Sequence, residues 1–467
     1  MKYFYNRILL ISISIILFSC GEKKDKPVEV EKVTSKEQAV LDFINQKFGM
    51  FIHFNMSTFQ EEATGGWATP NVDPKIFAPT NVDCNQWAKA AKSAKMNYAV
   101  FTTKHHDGFC LWDSKVTDYD IANSTYQGGD IVKKYADAFR KEGIKVGLYF
   151  SVWDRTHEIE HDKITEEKIQ FTKDQLTELL TNYGKVECIV IDGWGSKWGK
   201  GPDFEDIPYA TLADHIHSIQ PNCLVINHSC RTDLDVTQVV HYEATHGQHC
   251  PYDNTIPSQQ GPTIQPKWFW EKGNENGPLK SVKDIKEELN FANAHYSNYL
   301  LNAAPNAIGL MDDNVVERLK EVGASITLSA PLAALPELKP VHQGVTVRAS
   351  SYSNDNYKPE NVIDCDLFTR WQYTDEDQER WVELDFGEPK VFNRVICGAY
   401  RGGIEAFKVE ALVDGQWKLL TTGTSLRNNF NRSFDEVNAQ KYRLVITEGH
   451  KFKKSNPMLA EFTLVKY

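Results

Sequence analysis

A chain of 467 residues exceeds what one compact core normally organises, and its 41% hydrophobic share is ample for globular folding, so two domains and a tail are expected. The net charge of -11, with lysines and arginines scattered rather than clustered, leaves no basic face and excludes nucleic acid as a partner.

In chain order, residues 1–20 place Lys2 and Arg7 ahead of an apolar run from Ile8 to Phe18, too short to span a bilayer as a helix. This reads as an export signal. The run ends at Leu17-Phe18-Ser19-Cys20-Gly21, which resembles a bacterial lipoprotein box, so Cys20 is expected to become the lipidated first residue and the only contact with a membrane. The expected location is the bacterial cell envelope, on the periplasmic side or at the outer-membrane surface; a plain secretory signal with a chance cysteine is the alternative. Residues 21–37 are charged, lack apolar periodicity and suit a solvated tether.

From 38 to 332 short apolar runs alternate with helical patterns. Phe48–His53, Tyr98–Thr102, Lys145–Ser151 and Val186–Asp192 read as strands, while 85–96, 130–143 and 165–184 read as helices. The alternation predicts an α/β fold with a parallel sheet, and its length suits a (β/α)8-like barrel, in which chemistry gathers at the C-terminal ends of strands. PLAALPELKP (331–340) reads as a linker. From 341 to 467 short alternating strands between turn residues predict an all-β sandwich of the jelly-roll kind. Eight cysteines follow Cys20 without a CxxC pair, and buried free thiols are the favoured reading.

The stretch KHHDGFCLW (104–112) raises the question of a metal, an acid/base pair or a clamp for a polar ring. On a strand, successive side chains point to opposite sides, so His105 and His106 are not expected to share one ion; no catalytic cofactor is expected. Sugar chemistry fits better, since a pyranose needs dense hydrogen bonding around its hydroxyls and an apolar platform under its C–H face. Four strand ends carry that combination: His53; Lys104, His105, His106 and Trp112; Trp153, Asp154 and Arg155; Asp192, Trp194 and Trp198.

These residues resemble a known family. FGMFIHFNMSTF (48–59), KHHDGFCLWDSKVTDYD (104–120), GLYFSVWDR (147–155), VIDGWG (190–195) and NYLLNAAPNAIG (298–309) are similar to the α-L-fucosidases of glycoside hydrolase family 29. The resemblance implies a (β/α)8-like barrel and metal-free release of terminal α-L-fucose from fucosylated glycans with retention of configuration. Retention requires a carboxylate nucleophile and a second carboxyl about 5–5.5 Å away that acts as acid and then base. By resemblance Asp192 is the nucleophile. The family's acid/base lies on a variable loop; Glu243 in VTQVVHYEATHG is the first choice, Glu271 in WFWEKGNENG the second, and Asp233 or Asp235 the third. His53, His105 and His106 would bind the fucose hydroxyls, with Trp67 or Trp112 shaping the pocket. Trp153 and Arg155 stand open between the pocket and the aglycone side.

The C-terminal region resembles a discoidin or coagulation-factor type C domain, the group that includes family 32 carbohydrate-binding modules. Its specific part is VIDCDLFTRW (362–371), where Cys365 replaces a usual glycine. The resemblance implies a structural calcium held by Asp364, Asp366, Thr369 and Glu461, hard oxygen donors of the right kind. Trp371 and Trp381 are expected in the sandwich core. Two readings stand: a retaining exo-α-L-fucosidase tethered to the envelope, and a non-catalytic glycan-binding lipoprotein on the same scaffold.

Overall fold

The computed structural model describes residues 34–465, apart from 61–67, 196–198, 229–235, 252–253, 274, 276, 336–343, 365–368, 400–402, 427–429 and 451–455. Eight strands, β1 (Phe48–Ile52), β2 (Tyr98–Lys104), β3 (Lys145–Ser151), β4 (Cys188–Asp192), β5 (Leu224–Asn227), β6 (Val240–Tyr242), β7 (Ser258–Gln260) and β8 (Ser297–Asn302), pair in the order β5-β4-β3-β2-β1-β8-β7-β6. Every described pairing is parallel, and one seam, between β5 and β6, is left without ladder pairing among the described residues. The sheet is thus a nearly closed (β/α)8-like barrel.

Helices α2 (Cys84–Ser93), α3 (Ile131–Lys141) and α4 (Glu166–Asn182) stand where the sequence pattern placed them, and α5 (Tyr209–Ile219), α6 (Val282–Ala294) and α7 (Asp313–Ser325) continue the series. Asp83, Asp130, Thr165 and Ser281 cap four of them by accepting first-turn N–H groups. The alternation lapses after β6, where a single 3-10 turn (Ala244–His246) follows instead of a helix.

Helix α1 (Lys36–Ile44), capped by Ser35, starts inside the segment read as a tether, and Thr34 already bonds Asn222. Its Val40, Phe43 and Ile44 share a core with Phe51, Tyr98, Val100, Tyr149, Val190, Ile226 and Leu300, the side chains that point into the barrel. Their strand neighbours Met50, Ile52, Phe101, Leu148, Phe150, Ile189, Ile191 and Val225 pack outward in the core shared with the helices. This period-two division is what a sheet covered on both faces demands, and each fully buried large side chain contributes about 1.5–3 kcal/mol. Leu332 and Leu335, in the stretch read as a linker, pack against the inner core.

The second domain contains seven antiparallel strands: β9 (Thr346–Ala349), β10 (Trp371–Gln372), β11 (Trp381–Ala399), β12 (Ile404–Val413), β13 (Gln416–Leu426), β14 (Phe430–Gly449) and β15 (Met458–Val465). Strand β11 breaks register between Asp385 and Lys390 and again near Arg394; its first part pairs with β9 and its last with β15. Such irregularities let one long strand serve two layers of a sandwich. Trp371 is fully buried in this domain's core, whereas Trp381 is only partly buried and donates its indole N–H to Glu379. The six described cysteines are all free and buried.

Candidate active site

The inward layer of the barrel continues beyond its last apolar residues. Two positions past Phe51, Val190, Ile226 and Leu300 stand His53, Asp192, His228 and Asn302, so strand periodicity alone delivers a ring of polar groups at the C-terminal mouth. All four are buried. Asp192 closes β4, and Gly193 follows it at φ +68, where a Cβ would meet Trp153 at 2.5 Å. That turn needs glycine, and it aims the Gly193 N–H at Asp192 Oδ1, 2.6 Å away.

Asp192 Oδ2 accepts from the Tyr149 hydroxyl at 2.6 Å, and His106 Nε2 and His228 Nδ1 each lie 3.5 Å from it. Burial opposes ionisation of Asp192, but His228 and then His106 outweigh it, with the Tyr149 bond adding, and hold the carboxyl well below its ordinary range. The result is a buried carboxylate held in its ionised form.

The histidine orientations follow from their second nitrogens. Asn302 Oδ1 lies 2.7 Å from His53 Nδ1, and the Asn302 amide is itself fixed by donating to the Trp268 carbonyl, so Nδ1 donates and Nε2 is the acceptor. Ser151 Oγ donates to the Trp153 carbonyl and therefore accepts from His106 Nδ1 at 2.6 Å, which makes Nε2 the acceptor of that ring too. Burial pushes His53 down to about 3 and His106 down to about 4, and carries His105 and His241 well below the usual imidazole range. These four rings are neutral at physiological pH and offer lone pairs or N–H groups to hydroxyls.

His105 and His106 do not diverge as strand neighbours should. The strand ends at Lys104, the chain turns at Gly108 (φ +93), and the two ring centroids lie 4.3 Å apart on the same side. Together with Asp192 they bring one ligand-type atom each within 4.8 Å of one another. The composition suits a divalent cation, but the bonds of Asp192 to Tyr149 and Gly193 and the nearby His228 already provide its partners, and we assign no metal there.

Lys104 turns the other way. Its ammonium sits 3.0 Å from Asp154 Oδ2 and 2.8 Å from Gln175 Oε1, fully buried, and Asp154 also binds His157; against the cost of burial, Lys104 leads in pushing Asp154 down to about 2. This pair locks the loop after β2 to the loop after β3, and Gly108 is required there because a Cβ would lie 2.2 Å from Asp154 Oδ1.

Glu243 follows β6 and is 5% exposed. Its charge acts on His106, Tyr149 and His228, the three groups that surround Asp192, which places both carboxylates on one cluster. Glu271 is different: its side chain is 38% exposed and pairs with Lys267 at 3.4 Å. Asp233 and Asp235 lie outside the described residues, as do Trp67 and Trp198.

Trp112 is not with the group around Asp192. Its fully buried indole belongs to the core between barrel and helices and donates to Glu178 of α4 at 2.7 Å, because the chain runs outward after Gly108. Trp194 is likewise packing, with its N–H on the Ile207 carbonyl. The aromatic wall is made instead by Trp268 and Phe269, after β7, whose rings lie 4.8 and 5.1 Å from His53, and by Trp153, 4.9 Å from His106 with the Arg155 guanidinium 5.6 Å from the Trp153 ring. Tyr149, His228, Trp268, Phe269 and Asn302 carried no sequence-based assignment. The period-two rule that finds Asp192 also finds His228 and Asn302, whereas the WFW run had been read only as the carrier of Glu271.

In the second domain Thr369 Oγ1 lies 2.7 and 2.6 Å from the two oxygens of Asp364. Glu461 is in β15 and accepts from Thr463; Asp366 lies outside the described residues.

A buried carboxylate ringed by imidazoles and aromatic faces has the chemistry that a polar sugar ring calls for, and the chain resembles known glycosidases. The α-L-fucosidase family model matches residues 16–329 and the F5/8 type C model residues 346–461. Alpha-L-fucosidase 1 of Arabidopsis thaliana is 29% identical over 97% of this chain and 91% of its own length. The α-L-fucosidase isoenzyme 1 of Paenibacillus thiaminolyticus shares the fold with a TM-score of 0.55 at 24% identity, over 93% of this chain and 100% of that one. A Ruminococcus gnavus family 29 fucosidase in complex with fucose does so with 0.52 at 22%, over 92% and 94%. The chain therefore belongs to the α-L-fucosidase family of glycoside hydrolases, with a C-terminal F5/8 type C domain.

Proposed function

We propose that the protein is a retaining exo-α-L-fucosidase that releases terminal α-L-fucose from fucosylated glycans by double displacement. The observation that carries this reading is the presence of two buried carboxyl groups on one cluster: Asp192, held ionised by its neighbours, and Glu243, within electrostatic reach of the same His106, Tyr149 and His228. Asp192 attacks the anomeric carbon while the C–O bond to the aglycone breaks and the leaving oxygen takes the Glu243 proton. Water, deprotonated by Glu243, then cleaves the glycosyl ester and restores both groups. His53, His105 and His106 bind ring hydroxyls, and Trp268 and Phe269 cover the apolar side of a 6-deoxy sugar.

The reading extends to the chain's ends. Cys20 anchors the enzyme by lipidation to the bacterial envelope, and no helix among the described residues is long and apolar enough to cross a membrane. A structural calcium is held by Asp364, Asp366, Thr369 and Glu461; the oxygens of Asp364 and Thr369, 2.6 and 2.7 Å apart, are donors that fit a hard cation.

The test is fucose release from a panel of fucosylated oligosaccharides and an aryl fucoside. Asp192→Ala is expected to lower kcat/KM by about 10³–10⁵-fold and Glu243→Ala by about 10²–10⁴-fold, with azide rescuing the aryl substrate in one of them. Glu271→Ala should stay within a few-fold of wild type. Full loss in Glu271→Ala with activity kept in Glu243→Ala would move the acid/base to the loop after β7. No release from any substrate by folded wild type would favour a glycan-binding scaffold.

A further inference from the structure

His228 has no counterpart among the residues expected from the sequence, and it is the odd member of the ring. It is 4% exposed, and among the described residues Asp192 is the one polar group that its nitrogens approach. Its Nδ1 lies 3.5 Å from Asp192 Oδ2, beyond a good hydrogen bond but well within the reach of a charge pair. Its ring stacks 4.0 Å from His241 and meets Phe51 and Trp268 at 6.2 and 6.3 Å.

We propose that His228 is a positioning residue for the nucleophile: an imidazolium built into the top of β5 as the counter-charge that keeps Asp192 ionised and its Oδ2 in place. The inference rests on Asp192 being the nucleophile. The charge balance around His228 points the same way. From β4 it faces the Asp192 carboxylate, and from beyond β6 the Glu243 carboxyl; the Tyr149 phenol of β3 is held neutral by burial. His53, His105, His106 and His241, from β1, β2 and β6, are all held neutral by burial. Burial works against the charge of His228 as well, but Asp192, followed by Glu243, outweighs it and pushes this one imidazole up to about 9. One cation therefore sits among neutral rings, where the nucleophile's charge is.

The chemistry gains in both half-reactions. Before attack the imidazolium holds Asp192 in its anionic form at acidic pH. When the glycosyl ester breaks, the electron pair of the C–O bond returns to Asp192, and the same cation stabilises the departing carboxylate. Removing the cation raises the pKa of Asp192, so the acid limb of kcat/KM must move to higher pH.

The experiment is carried out on the full chain. Imidazole NMR titration of wild type should show one histidine, absent from His228→Gln, with a midpoint near 9 that falls below 6.5 in Asp192→Asn. A His228 midpoint at or below 6.5 in wild type would overturn the inference, whatever the activity. In kinetics, His228→Gln should move the acid limb up by at least one pH unit, a tenfold extra loss on that limb, while His228→Lys keeps it near the wild-type position. A uniform loss with an unshifted limb in His228→Gln would reduce the residue to packing. The two kinds of failure are distinguishable. Wild-type turnover in Asp192→Ala overturns the nucleophile and this inference together. Lost turnover there, with an unshifted limb in His228→Gln, overturns this inference alone.

Discussion

Asp192 in the barrel and Glu410 in the β domain are both buried carboxylates held below their ordinary pKa, yet their partners are of different kinds. Glu410 lies on β12 between Lys408 at 2.6 Å and Arg443 at 2.8 Å, and Arg443 also stacks over Trp417. Burial opposes its charge, and those two cations win. Asp192 has no lysine or arginine against it among the described contacts; its partners are His228, His106 and Tyr149. Permanent cations make an ion pair indifferent to pH over the physiological range, which suits a domain that must only hold its shape. Titratable partners leave the carboxylate responsive, which suits one that must change its charge during a reaction.

The barrel contains both kinds, one shell apart, and substitutions can separate them. The largest stability effect is expected at Lys104, whose ammonium is wholly buried against Asp154. Lys104→Met leaves a buried carboxylate with only His157, and unfolding free energy should fall by about 3–5 kcal/mol in denaturant titration. A loss under about 1 kcal/mol would show this pair to be no more structural than a surface one. Trp112→Phe deletes the bond to Glu178 and should cost about 1–2 kcal/mol while the KM for an aryl fucoside stays unchanged. A raised KM would return Trp112 to the pocket. The smallest effect is expected in the β domain: chelating calcium should lower its stability by about 1 kcal/mol, read as a drop of a few degrees in its unfolding, with turnover unaltered.

Much of this was legible in the sequence because the barrel obeys simple rules. Strands buried on both faces read as continuous apolar runs, and β1 to β4 stand within a few residues of where those runs were found. His53, His105, His106, Asp192 and Glu243 are all buried at strand ends, which is where a barrel fold directs attention. The failures have physical causes too. Trp112 is close to the histidines in sequence but not in space, since Gly108 turns the chain away. The assumption that His105 and His106 diverge held only for a strand that continued past Lys104. His228 escaped notice because LVIN is short and its histidine has no flanking motif, though it occupies the same inward position as the aspartate of CIVID.

The inward layer also bears on how such a protein can change over time. Four strands of the barrel, β1, β4, β5 and β8, each present one side chain to the mouth, two residues beyond an apolar one that fills the interior. Replacing that side chain edits the chemistry and leaves the layer beneath untouched, so specificity can drift one strand at a time. Inserting a single residue into β1, β4 or β5 would instead turn His53, Asp192 or His228 toward the helices and expel the apolar residue below it. Lineages built on this plan should therefore vary freely in loop length and in the identity of the mouth residues, and hardly at all in the spacing between the mouth and the core.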